Sequence, residues 1–148
     1  SYLIVMTNKG IDILRKDYGI KKEIFLIPHG TPIVSFDDSI KEKTAMGIYD
    51  KIVLSVFGLI NSGKGYEYVI ESLPKVVKKY PNILLLIIGI THPVVRKNEG
   101  EKYRHFLEEK VKEYNLEKYV KFYNRYMTLE EIVKFLLATD IYISSNLD

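Results

Sequence analysis

No cysteine occurs in the 148 residues, so the chain has neither a disulfide framework nor a thiolate metal site. A reducing compartment is its natural setting, and a cytoplasmic location is expected. Tryptophan and glutamine are absent, while lysine, glutamate, isoleucine and tyrosine are plentiful. That bias resembles heat-adapted compositions, in which Lys and Glu build surface ion-pair networks. No single sign of charge dominates: 22 basic against 19 acidic residues leave a formal +3, too mild for the concentrated basic stripe of a nucleic-acid binder. The apolar run "ILLLIIGI" (residues 83–90) falls well short of the ~20 residues a membrane helix needs. The opening "SYLIVM" lacks a basic flank, so no secretory leader is expected.

What is present is an alternation of short apolar runs with helical periodicity. "YLIVM" (2–6) and "IFLI" (24–27) read as strands, with Thr7 capping an intervening helix and Gly19 ending it. Residues 33–50 read as a linker with a short helix near 41–47. Four further strands are expected at 52–57, 84–88, 120–123 and 141–143. The helix from Tyr66 to Tyr80 contains Pro74, which removes a donor to the Ile70 carbonyl and predicts a bend. Thr128 and Glu131 have the spacing of a capping box, Met127 is placed to staple onto Ile132, and that helix is expected to bury Leu129, Ile132, Val133, Leu136 and Leu137. "ILLLIIG" is apolar at every position, as a central strand covered on both sides must be. The expectation is an α/β fold with a doubly wound, Rossmann-like parallel sheet. Ligands of such sheets sit beyond the carboxyl ends of the strands.

The stretch "FGLINSGKGYEY" lies at one of those ends. Gly58, four residues, then Gly63-Lys64 nearly makes a Walker A loop, but the next residue is Gly65 rather than Ser or Thr. The following strand ends in Gly89, not Asp. Both magnesium ligands of a hydrolysing loop are missing, which argues against nucleoside triphosphate hydrolysis. The remaining features favour an anion: a glycine at a strand end, a lysine, and a helix start with free N–H groups that Gly65 would let a ligand approach. The alternative is that these glycines merely shape a turn around a solvated Lys64. Asp37-Asp38 stand without further ligands and read as solvated carboxylates rather than a metal pair. His29 and His92 have no partner at zinc spacing. No metal site is expected. A response-regulator-like domain would need acidic strand ends, whereas these are Gly58, Gly89 and Asn124.

"IPHGTP", the span "VLSVFGLINSGKGYEYVIESLPKVVKKYPNILLLIIG" and the span "YVKFYNRYMTLEEIVKFLLATDIYIS" together resemble the C-terminal half of group 1 retaining glycosyltransferases of the GT-B fold. The resemblance covers nearly the whole chain. It implies that residues 1–32 are the tail of the N-terminal half and the interdomain crossover, 33–50 a linker, and 51–148 a donor-binding Rossmann-like domain incomplete at its C-terminus. It implies a nucleotide-sugar donor as substrate, with no cofactor and no metal. Gly58, Lys64 and Gly65 are then expected at the donor diphosphate, Ile90 and Thr91 beside the nucleotide, and Arg125, Tyr126 and Met127 along the base. Leu59 stands where many members carry a second cation. The paired glutamates of the family would follow Asp148, and the acceptor site would belong to the missing N-terminal half, so the catalytic residues are unknown from this chain. The resemblance thus implies a fragment of a hexosyltransferase, inactive alone, with any membrane association left to the missing half. A non-catalytic nucleotide- or phosphate-binding module is the alternative.

Overall fold

The computed structural model describes residues 2–31, 33 and 39–147, and Asp37-Asp38 lie outside them. It comprises two compact units, residues 1–35 and 36–148.

The first unit is a βαβ element. Strand β1 (Leu3–Val5) pairs in parallel with β2 (Ile24–Leu26) through helix α1 (Asn8–Lys16). The Thr7 hydroxyl accepts the Gly10 amide at 3.0 Å and satisfies a donor that the first turn leaves free. Gly19 takes the left-handed conformation at φ 61° that ends the helical segment without a Cβ clash.

In the second unit, the helix within residues 33–50 is α2 (Ser39–Ala45), somewhat earlier than the spacing suggests. Then follow β3 (Ile52–Phe57), α3 (Tyr66–Lys79), β4 (Ile83–Ile88), α4 (Pro93–Glu99), α5 (Lys102–Glu113), β5 (Val120–Tyr123), α6 (Leu129–Leu137) and β6 (Ile141–Tyr142). The sheet order is β5-β4-β3-β6, and every pairing is parallel. Two apolar clusters flank it. One packs Ile70, Leu73, Leu107 and Val111 of α3 and α5 against Leu54, Val56, Leu85 and Ile87. The other packs Ile48, Met127 and Phe135 against Val53, Leu84, Leu86 and Ile88. All six residues of β4 are buried, and fully burying one such side chain is worth roughly 1.5–3 kcal/mol. Helix α3 runs unbroken through Pro74.

Two details depart from the expected pattern. In α6 the buried residue is Phe135, while Leu129 and Leu136 are exposed, 56% and 45%. The helix has apolar residues on more than one side, so period alone cannot say which side faces the sheet; Phe135 wins by packing edge-on to Tyr123 at 4.6 Å. The second detail is a polar tie at the amino ends of β3 and β6. Asp140 accepts the Val53 amide at 2.7 Å and the Lys43 ammonium at 2.5 Å, and Lys43 also reaches the Lys51 carbonyl at 3.1 Å. The aspartate of "ATDIY" is therefore a fixture between α2, β3 and β6. None of the described helices is long and apolar enough to cross a membrane.

Candidate active site

The carboxyl ends of β3 and β4 continue past their last residues as a short parallel ladder. Gly58 donates to the Ile88 carbonyl, Ile60 to Ile90, and His92 to Ile60, at 3.0, 2.8 and 2.9 Å. The two glycines cross at van der Waals limits: a Cβ on Gly89 would lie 2.0 Å from the Gly58 carbonyl oxygen. Gly58 and Gly89 also have φ of 144° and 133°, which L side chains rarely adopt. A side chain at position 89 would push the two loops apart, so glycine is what lets both strand ends open side by side.

They open onto a cavity of about 290 Å³. Phe57, Gly58 and Leu59 form one wall and Gly89 and Ile90 another. Arg125, Tyr126, Met127 and Ile132 close the third side, with Met127 buried and Tyr126 exposed. Among the described residues the lining contains no carboxylate and no histidine. The capping box of α6 shapes that third side. Thr128 accepts the Glu131 amide at 3.3 Å, and Glu131 accepts the Thr128 amide at 2.9 Å. The same carboxylate pairs with Arg125 at 2.6 Å, so the cap also fixes the guanidinium at the cavity rim. The Thr128 amide, then Arg125, hold the Glu131 carboxyl below its ordinary range.

Lys64 ends a 3-10 turn, Ser62–Lys64, capped by the Asn61 side chain on the Gly63 amide at 2.9 Å. Its side chain folds back over the end of β3. Both Cε and Nζ lie 3.6 Å from where a Cβ on Gly58 would stand. Lys64 is half-buried, and its ammonium has no ion-pair or hydrogen-bond partner among the described residues. The Tyr66 hydroxyl lies 3.7 Å from that same point. Tyr66 is only 3% exposed, and its hydroxyl is buried without a hydrogen-bond partner among the described residues. Burial, with the nearby Tyr142, pushes that phenol up to about 12.

The structure thus brings Gly58, Ile90, Arg125, Tyr126 and Met127 around one cavity, with Lys64 beside Gly58. Two other expected residues have different surroundings. Thr91 is buried and donates its hydroxyl to Glu101, which also binds Arg104 at 2.9 Å and Arg96 at 3.2 Å. The space over Gly65 is filled by the chain itself: a Cβ there would lie 2.6 Å from the Ser145 carbonyl oxygen. Ser145 in turn donates to the Lys64 carbonyl at 2.7 Å, and Leu147 donates to that of Gly63 at 2.9 Å. At the start of α3 the Tyr103 hydroxyl donates to the Glu67 carboxylate. The sequence marks Tyr66 only as an apolar position on a helix; its unpartnered hydroxyl is visible in three dimensions alone.

The chain matches the family model "Glycosyl transferases group 1" over residues 36–147. No curated protein gives a significant match. Among solved structures, Anabaena HepE in complex with UDP superposes with a TM-score of 0.76 at 19% identity, over 99% of this chain and 38% of that one. The C-terminal domain of the group 1 glycosyl transferase LpcC from Francisella tularensis gives 0.64 at 26% identity, over 74% of this chain and 54% of that one. Sucrose-phosphate synthase from Thermosynechococcus elongatus gives 0.73 at 23% identity, over 99% and 35%. The chain spans well under half the length of HepE, 38%.

Proposed function

Because the chain belongs to the group 1 glycosyl transferases and has the fold of the C-terminal half of their GT-B architecture, we propose that it is the donor-binding part of a retaining hexosyltransferase. The donor is a nucleotide-sugar. The observation that carries this reading is the half-buried Lys64, whose ammonium has no partner among the described residues and lies beside Gly58, a wall residue of the apolar cavity. A half-buried cation without a partner wants an anion, and a cavity walled by Phe57, Leu59, Ile90 and Met127 suits a flat base. The diphosphate then lies over Gly58 and Lys64, and the base enters between the strand ends and the Arg125–Met127 segment. HepE, a neighbour in fold, has been solved with UDP, which agrees with this ligand class.

In the transfer step the bond from the anomeric carbon to the diphosphate oxygen breaks, the acceptor oxygen bonds to that carbon and releases its proton, and the electron pair of the broken bond leaves as negative charge on the diphosphate oxygen. Lys64 is placed to stabilise that charge, as a fixed cation in a partly dry site. We assign the chemistry no metal and no cofactor. Residues 1–32 are proposed as the tail of the preceding half and the crossover, 33–50 as the linker, and 51–148 as the donor domain. The acceptor and the remaining catalytic groups then belong to the N-terminal half, and this chain alone transfers no sugar. Cytoplasmic work is consistent with the absence of cysteine. A second reading, a nucleotide-binding module without catalysis, draws on Leu59 and on a cavity lining without carboxylates.

Calorimetric titration with a nucleoside and its diphosphate tests the proposal. A hydrogen bond to a charged group contributes about 1.5–3 kcal/mol, so Lys64→Ala should weaken diphosphate binding roughly 10- to 150-fold. The nucleoside should lose little. Equal losses for both ligands would mean that Lys64 supports the fold or the base pocket instead. Sugar transfer by the native-length protein would separate the enzyme from the binding module.

A further inference from the structure

We propose that the Tyr66 hydroxyl is a second side-chain donor to the donor's diphosphate, uncovered when Lys64 extends toward the same group. The proposal rests on the donor-site reading above and adds a residue to it. Three groups share the space just beyond β3: the Lys64 Cε and Nζ atoms, the Tyr66 hydroxyl, and the vacancy left by a glycine at position 58. The hydroxyl is buried, yet it has no acceptor among the described residues. A buried hydroxyl without a partner destabilises a fold and is rarely left so without a reason. Its ring is fully used, packed in the core with Ile70, Leu73 and Val56, so phenylalanine would serve packing equally well.

The neighbouring group decides which acceptor fits. An ammonium and a hydroxyl that both approach the Cβ-sized space over Gly58, to 3.6 and 3.7 Å, complement an anion with several acceptor oxygens, and phosphate is such an anion. The phenol remains a donor through neutral pH, since its pKa is pushed up to about 12. Lys64 now lies beside the hydroxyl, and among the described residues its hydrogen bonds are made by its backbone: its carbonyl accepts the Ser145 hydroxyl at 2.7 Å and its amide donates to the Asn61 carbonyl at 3.0 Å. Its ammonium is free to swing outward without breaking a bond to any described residue. That movement leaves the space over Gly58 open between cation and hydroxyl.

The test compares the native-length protein with Tyr66→Phe, using UDP, ADP and GDP and the three matching nucleosides as probes. Tyr66→Phe should weaken the diphosphate that the protein binds by about tenfold or more. The matching nucleoside should bind as before. The thermal midpoint without ligand should hold or rise, because a buried unpartnered hydroxyl has been removed. A wild-type ratio of diphosphate to nucleoside affinity in Tyr66→Phe would overturn the inference while leaving the role of Lys64 intact. A midpoint lower by several degrees would also overturn it, since the hydroxyl would then have a structural partner. If wild-type protein prefers none of the three diphosphates over its nucleoside, the donor-site reading itself fails.

Discussion

Gly89 and Gly58 show at the scale of single residues why this site needs two glycines. Neither sits in a turn chosen for flexibility. Each ends a buried strand, and the backbone of one occupies the place where the other's side chain would go. Gly89→Ala should therefore cost about 2 kcal/mol or more, because its φ of 133° is strained for alanine and its Cβ would meet the Gly58 carbonyl oxygen at 2.0 Å. Urea denaturation would show a lowered midpoint; a change within about 0.5 kcal/mol would mean that the two loops yield easily. The sequence reveals these glycines as strand ends, since each follows an unbroken apolar run. It does not reveal their contact, which depends on parallel neighbours brought into register. Tyr66 and Gly65 were hidden for the same reason. A tyrosine at a core-facing helix position reads as packing until its hydroxyl is found without a partner, and Gly65 reads as open until Ser145 is found above it.

At the scale of elements, the capping box of α6 links local folding to the site. Thr128 and Glu131 were legible from their spacing, because a cap is a local interaction between residues three apart. That Glu131 also grips Arg125 was not legible, since it depends on how the chain turns after β5. A pH dependence follows. The Thr128 amide and Arg125 hold the folded Glu131 below its usual 4.5, so its contribution is present above that value and is lost as pH falls through the folded one. Glutamine keeps a capping acceptor but not the charge. The stability difference between wild type and Glu131→Gln should thus be greatest above about pH 4.5 and shrink below it. A difference that stays constant across that range would mean that Glu131 acts only as a neutral cap. The burying face of α6 shows the converse limit of periodicity. Leu129, Ile132, Val133, Leu136 and Leu137 surround much of the helix, and only tertiary packing against Tyr123 selects Phe135 for the core.

On the scale of the whole molecule, the parallel sheet was legible because its central strands are apolar throughout and its helices amphipathic. Chemistry was less so. To the motif "GLINSGKG" the structure adds where its lysine goes: back over Gly58, a wall residue of a cavity of about 290 Å³, with no partner for its ammonium among the described residues. At Gly65, one of the positions expected to draw an anion, the Ser145 carbonyl oxygen lies 2.6 Å from where a Cβ would stand. On the proposed reading Lys64 and Tyr66 supply the side-chain contacts to the diphosphate. The chain spans 38% of HepE. The central claim is the position of the diphosphate, and a crystal structure of the native-length protein with its preferred nucleoside diphosphate tests it most directly. A phosphate oxygen is expected within about 2.7–3.2 Å of the Lys64 Nζ, with the base in the cavity between Ile90 and Met127. A nucleotide bound elsewhere, or one whose diphosphate points away from Lys64, would contradict it.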